Sequence, residues 1–460
     1  MVGSDLERSL GLYPTMMISM GAMIGSGIFV LPALGYKKAG PAVILAYILA
    51  ALVVLPAALS KAEMSTAMPE SGGTYLYIDR ALGPLFGTIA GIGAWFSLIF
   101  KSSFALVGLG AYLLLFAPVS QGSIVFVALG LGALVILLNI SGTKLSGQVQ
   151  AVIVTLVLGG LIVYTLNSGL ALDTSRFTPF TTHGGGGVIT AAAFVFVSYA
   201  GVTKIASVAE EVKDPGRNLP RAILSSMAIM TVVYVAVVGA VVGLSDPEIL
   251  KTGGPDGTAS LTPMADGAEA LLGGFGVLFI SVIAVVALTS MANAGILSSS
   301  RFPLAMSRDD LLPSTLETID ERFKTPRNSV LLTGSVLLLL IAFVPVIELA
   351  KLASAFQILV FSIINVALVA FREADVPSYQ PEFTSPGYPF VQIFGFLAGI
   401  GLLTQMGTVP ILGAAGIIVG STLIYFLYGR SRTDRTGAVG TIIHNRRGED
   451  DKGLEPTKTD

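Results

Sequence analysis

Long apolar runs separated by short polar intervals dominate the chain. They fall near residues 12–33, 41–66, 84–116, 122–142, 147–168, 187–208, 219–244, 265–300, 328–346, 348–371, 387–408 and 410–428. Each approaches the length of about 20 apolar residues that a helix needs to cross a bilayer. The pattern predicts an all-α polytopic membrane protein of twelve spans, and an even number puts both termini on one side. Two of the runs are interrupted. The first holds Met20-Gly21-Ala22-Met23-Ile24-Gly25-Ser26-Gly27-Ile28-Phe29, and each glycine costs roughly 1 kcal/mol against alanine in a helix interior. The sixth follows Gly184-Gly185-Gly186-Gly187 and carries Ser198-Tyr199-Ala200-Gly201-Val202 in its middle.

Lipid offers no partner to backbone polar groups, so unwound backbone is tolerated only where protein buries it or it lines a cavity. Two readings of the glycines stay open. A break offers N–H groups to an anion and freed carbonyls to a cation or ammonium, and so makes a small-molecule site. Alternatively, the small residues only let helices pack closely. Breaks in the first and sixth spans, five helices apart, are the expected mark of an inverted repeat. Residues 12–168 would form one half and 187–371 the other, with 387–428 accessory.

Composition agrees with a membrane protein: 53% of residues are hydrophobic and 12% charged, and the mean hydropathy is +0.80. Placement of charge says more than the net value of −2. With both termini inside, the inner segments hold fifteen lysines and arginines before the distal tail. The outer loops hold five, Lys37, Lys38, Arg176, Lys251 and Lys351. This bias places both termini in the cytoplasm of a cell-membrane protein. Residues 1–11 are polar and lead straight into the first span, so no cleavable signal is expected. Residues 429–460 are polar and charged without apolar period and read as a disordered cytoplasmic tail. The chain has no cysteine, which excludes disulfides and thiol chemistry. Its two histidines, His183 and His444, lie in a loop and the tail, so no histidine metal site is expected. There is no phosphate-binding loop, and no nucleophile or paired-acid constellation inside the spans points to an enzyme. Nothing points to nucleic acid.

Four stretches resemble one family. Gly21-Ala22-Met23-Ile24-Gly25-Ser26-Gly27-Ile28-Phe29 is similar to the helix 1 signature of the amino acid–polyamine–organocation transporters. Pro69-Glu70-Ser71-Gly72-Gly73-Thr74-Tyr75 resembles the loop after helix 2. The run from Ala209 to Ala222 resembles the loop between helices 6 and 7. Asn293 through Pro313 resembles the end of helix 8 and its loop. The four are in register across about residues 12–430. The resemblance implies a LeuT-type fold, discontinuous helices 1 and 6, and alternating-access transport of an amino acid or related amine. An exchanger and a ligand-binding sensor on the same fold are the alternatives.

By that resemblance the substrate carboxylate would meet the N–H groups and hydroxyl around Gly25, Ser26 and Gly27. Its ammonium would meet carbonyls near Ala22, Met23, Ile24, Val197, Ser198 and Ala200. Phe196 and Tyr199 are candidate aromatic gates, or else packing residues. Lys101 lies deep in the third span, where a charge must face the interior or be deprotonated, unless the helix is tilted enough to leave it near an interface. Some proton-coupled members carry a lysine on helix 5, but Val157 stands at or near that position here. Ala287-Leu288-Thr289-Ser290 resembles the helix 8 part of a sodium site, with Thr289, Ser290 and the carbonyls of Gly21, Ile24 and Val286 as ligands. Ordinary packing is the alternative for both hydroxyls. The coupling ion is therefore a proton or sodium, and no other cofactor is expected. Glu63, Lys204 and Glu210 are candidate gates or ion pairs, Glu63 with Lys61, Lys204 or a cytoplasmic arginine, and Lys204 with Glu210 or Glu211. No acid lies between the two breaks, which favours a neutral amino acid over a cation.

Overall fold

A computed structural model describes residues 8 to 440 apart from 70–72, 117–122, 143–146, 170, 375, 378 and 434. Residues 1–7, most of the 70–75 motif's loop and the distal tail from 441 thus lie outside the described residues. Among the described residues all regular structure is helical, with one isolated bridge between Leu10 and Val212. The helices are α1 (Leu12–Met23), α2 (Ser26–Phe29), α3 (Leu31–Ala39), α4 (Val43–Ala67), α5 (Gly73–Leu82), α6 (Pro84–Leu114), α7 (Ile124–Ile140) and α8 (Gly147–Ser168). They continue with α9 (Gly184–Val195), α10 (Pro215–Leu244), α11 (Pro247–Thr252), α12 (Pro263–Ser299) and α13 (Arg301–Arg308). The last are α14 (Arg327–Phe343), α15 (Val346–Ala374), α16 (Phe390–Thr404) and α17 (Thr408–Ile424). Among the described residues, eight helical stretches are long and apolar enough to cross a membrane, and three shorter apolar helices accompany them.

The apolar runs become helices nearly where the pattern places them, and three of them are not continuous α-helices: the two expected to be interrupted and one more. The run at 12–33 is three helices, because the chain leaves helical geometry at Ile24 and Gly25 and again at Val30. The run at 187–208 is α-helical only to Val195 and continues as a 3-10 helix over Phe196–Glu211. That tighter form seldom persists beyond three or four residues and often marks a hinge. Within 265–300, Gly273 has φ +58°, so α12 is two helices meeting at a kink.

α1 and the 3-10 segment lie side by side at the centre, flanked by α4, α8, α10 and α12, while α12 and α15 pack along α6. The outer faces are apolar and exposed, as at Phe126, Phe343, Phe390 and Leu427, which suits lipid rather than water. The two central elements are also tied at one end. The Leu10 N–H donates to the Glu211 carbonyl at 2.9 Å, and the Lys213 N–H donates to the Leu10 carbonyl at 2.9 Å.

The expected disordered tail is corrected for its first part. Ala438 is buried, and a Cβ on Gly437 would press on the Gly83 N–H and the Ala81 and Leu82 backbone. Arg435 bridges α5 and the turn after α13. Its Nη1 lies 3.0 Å from Asp309 Oδ1 and 3.6 Å from Asp79 Oδ2. Burial pushes the Asp79 carboxyl up to about 6 despite the Arg435 guanidinium, and Asp309 pushes the same way. A carboxyl raised on folding weakens the folded state above that value and ceases to do so as pH falls through it. Arg435 offsets this charge, so its contribution is largest when Asp79 is ionised. Arg435→Gln should therefore lower the thermal midpoint more at pH 8 than at pH 5. An equal loss at both would refute the coupling.

Candidate functional site

The break in the first span is built from Ile24, which is extended at φ −71° and ψ 125°, and Gly25, at φ 156° and ψ −133°. Only glycine adopts the second geometry freely, and a Cβ there would run into Met291 of α12. Helical geometry resumes at Ser26, whose N–H points at Met291 Sδ at 3.2 Å. On the other side, Gly201 of the 3-10 segment lies against the α1 backbone, and a Cβ would strike the Ala22 carbonyl group and meet the Met23 N at 2.5 Å. Two irregular backbones thus touch at Ala22.

Side chains from three neighbouring helices satisfy the carbonyls around the break. Lys101 of α6 donates to the Ala22 carbonyl at 2.9 Å. Tyr234 of α10 donates to the carbonyls of Met23 at 2.8 Å and Ser198 at 3.0 Å. Tyr47 of α4 donates to the Gly27 carbonyl at 2.7 Å, and Tyr112 of α6 to that of Phe29 at 2.9 Å. Where α9 passes into the 3-10 segment, Ser354 of α15 donates to the Phe194 carbonyl at 2.7 Å and accepts from the Val197 N–H at 3.2 Å. Sequence reasoning missed Tyr47, Tyr112, Tyr234, Ser354, Met291 and Gly201. A usable signal existed for the tyrosines, since a buried hydroxyl in a span must find an acceptor.

A cavity of about 460 Å³ reaches the break. Ala22, Lys101, Ala200, Gly201 and Met291 line its deep end, and Arg301, Arg308 and Asp309 its other end. Of the residues expected to hold substrate, Ala22 and Ala200 line it. Met23, Ile24, Gly25, Ser26 and Gly27 are buried behind Ala22 and Met291, and Val197 and Ser198 are buried too. Phe196 and Tyr199 do not overhang the cavity. Phe196 packs edge-on against Phe361 at 5.8 Å and Tyr199 against Tyr234 at 5.1 Å, and the Tyr199 hydroxyl donates to the Tyr47 carbonyl at 3.1 Å.

Of the two hydroxyls expected at a sodium site, Thr289 has an exposed side chain on the outer face of α12, while the Ser290 hydroxyl donates to Gln150 Oε1 of α8 at 3.1 Å. Gly21 faces the same Gln150. Glu63 is fully buried and takes Arg372 Nε and Nη2 at 2.8 and 2.6 Å, with the Tyr379 hydroxyl and the Ser385 N–H also donating. Its partner is therefore an arginine of α15, not Lys61 or Lys204. The Lys204 ammonium lies 3.5 Å from the Ala294 carbonyl, and Glu210 is half-buried.

Two interrupted helices crossing beside a cavity agree with the four stretches noted in the sequence. Residues 10–429 match the family described as amino acid permease. The chain belongs to that family. The permease is 31% identical to the branched-chain amino acid permease of Bacillus subtilis, over 93% of this chain and 94% of that protein. It is 30% identical to a methylthioribose transporter of the same organism, over 93% and 95%. The branched-chain amino acid permease of Lactococcus lactis is 29% identical, over 90% and 93%. The permease is thus a multi-pass amino acid transporter and not an enzyme.

The tyrosine contacts give a direct test. Tyr234→Phe leaves two buried carbonyls without this donor and should lower stability by about 1–3 kcal/mol. Tyr13→Phe removes an exposed hydroxyl, bonded to Thr155, and should change little. Thermal unfolding of both purified variants checks this; equal midpoints would count against the tyrosine as a prop of the break.

Proposed function

We propose that the permease is a secondary active transporter for neutral amino acids in the cell membrane, with twelve spans, cytoplasmic termini and the LeuT-type five-plus-five repeat. The observation that carries this reading is the meeting of two irregular backbones at Ala22 and Gly201, at the deep end of a cavity. A zwitterion matches such a place, since freed carbonyls suit its ammonium and N–H groups its carboxylate. Substrate would enter between Ala22 and Ala200 and displace Met291 to reach the Ser26 N–H. Alternating access would come from α1, α4, the 3-10 segment and α10 moving against α6, α7, α12 and α14. The neutral preference is supported by charge: among the described residues, Lys101 and Lys204 line the cavity, and Asp309 is the one lining acid.

For the coupling ion the reading favours a proton. Lys101 already occupies the Ala22 carbonyl with its ammonium, where the substrate ammonium is expected. Movement of a proton on or off Lys101 therefore changes whether that oxygen is available. The outward side chain of Thr289 weakens the sodium alternative.

Uptake of labelled neutral amino acids into proteoliposomes tests both parts. An inward proton gradient should drive accumulation, an inward sodium gradient should not, and Lys101→Met should abolish the pH dependence. Sodium-driven uptake, or an unchanged pH profile in the variant, would overturn the proton assignment. Flux only with amino acid preloaded inside would make the protein an exchanger, and binding without flux a sensor.

A further inference from the structure

The cavity that reaches the break carries more positive charge than the proposed coupling role of Lys101 uses. Among the described residues, Lys61, Lys101, Lys204, Arg301 and Arg308 line it, against Asp309 as the one acid. Asp309 is itself engaged, accepting from the Tyr75 hydroxyl at 2.7 Å and from Arg435 at 3.0 Å. Glu211 lies close enough to Arg301 for their charges to interact, but it does not line the cavity. A basic inner rim is ordinary in a membrane protein and accounts for Arg301 and Arg308. It does not account for Lys61. That side chain is 2% exposed and donates to the Thr74 hydroxyl at 2.6 Å. The acid nearest to it in sequence, Glu63, is committed to Arg372. Burying a cation inside a bundle is costly unless a partner compensates it.

The lining is dominated by groups that only donate. Ammonium and guanidinium groups carry no acceptor, so the complementary ligand is an acceptor with negative charge. About 460 Å³ is more room than a halide needs. Lysine and arginine together are the usual partners of phosphate and carboxylate oxygens. We propose that this cavity is a binding site for an oxyanion bearing a phosphate or carboxylate group, held by the cations that line it, Lys204 and Arg301 first among them. It is separate from the amino acid position at the break. The occupant stands between the break and the cavity's far end, and so obstructs passage of substrate on that side. The proposal stands whether or not the coupling assignment above holds, because its test needs no flux.

The probe is inorganic phosphate, with the full-length chain in phosphatidylcholine nanodiscs at fixed ionic strength, titrated in place of chloride. The thermal midpoint should rise and saturate. Lys204→Gln and Arg301→Gln should each weaken the apparent affinity by about tenfold, as loss of one charge-assisted hydrogen bond implies. Arg301→Lys, which keeps the charge, should retain most of the response and guards against a folding artefact. In phosphatidylglycerol nanodiscs, a raised midpoint that no longer responds to phosphate, and falls in the same variants, would identify a lipid headgroup as the source of the oxyanion. Equal, unsaturating responses to phosphate, chloride and methanesulfonate, or a saturating response unchanged in both glutamine variants, would overturn the site.

Discussion

Everything at the centre of this permease follows from one requirement. A helix that opens inside a bilayer leaves carbonyl oxygens with no water to bond, and each must be given a donor by the protein. Here the donors are long side chains from neighbouring helices: Tyr47, Tyr112 and Tyr234 reach Gly27, Phe29 and Met23, and Lys101 reaches Ala22. Tyr234 also bonds the Ser198 carbonyl, so one hydroxyl joins the break to the 3-10 segment. A tyrosine serves this role well, because its ring packs as an apolar body and its hydroxyl reaches a polar target. Tyr47 and Tyr199 both pack against the Tyr234 ring, the first tilted and the second edge-on, with centroids 5.2 and 5.1 Å away. The donors are therefore held in place by one another.

This arrangement bears on motion. The Leu10–Glu211 and Leu10–Lys213 bonds fasten α1 and the 3-10 segment at one end, and Gly201 presses them together at the break. On the proposed reading these two elements move as a pair. The side-chain links from α6 to the broken first span are of a different kind: single hydrogen bonds from Lys101 to the Ala22 carbonyl of α1 and from Tyr112 to the Phe29 carbonyl of α2. Such bonds exchange partners at small cost, since net worth per bond is about 1 kcal/mol. The Glu63–Arg372 pair, with four donors on one fully buried carboxylate, instead locks α4 to α15 at a point away from the cavity.

The sequence made some of this legible and hid the rest for definable reasons. Helix limits such as Pro84 to Leu114 fell within a few residues of the expected span because hydropathy reports them directly. Although close packing was the competing reading, Gly25 was legible as a candidate break because Gly25-Ser26-Gly27 is poor helix material. The direction of side chains was not, because a helix buried on most of its surface has no polar face to set its rotation. That is why the alternatives of gate or packing for Phe196 and Tyr199, and of ligand or packing for Thr289, stayed open in the sequence, whereas the structure packs both rings in the bundle and turns Thr289 outward. The ordered stretch around Arg435 was missed for another reason. Its anchors, Asp309 and Asp79, lie far away in sequence, the nearer of them 126 residues off, and local composition carries no trace of them.

Lys101 and Met291 then take on a joint meaning. On the proposed reading, the substrate site has a carbonyl pole at Ala22 and an N–H pole at Ser26. The protein's own side chains meet both: an ammonium at the first, 2.9 Å away, and a thioether sulfur at the second, 3.2 Å away. Each stands where that reading puts one half of a zwitterion. A thioether is a poor acceptor on a flexible chain, so a carboxylate displaces it with a net gain. An ammonium is a full equal to the substrate's own, so exchange at Ala22 gains little unless Lys101 gives up its proton or moves to another oxygen. The two poles are therefore unequal. Affinity arises mainly where the carboxylate replaces sulfur, and control arises where one ammonium must replace another, which is where an ion gradient has leverage.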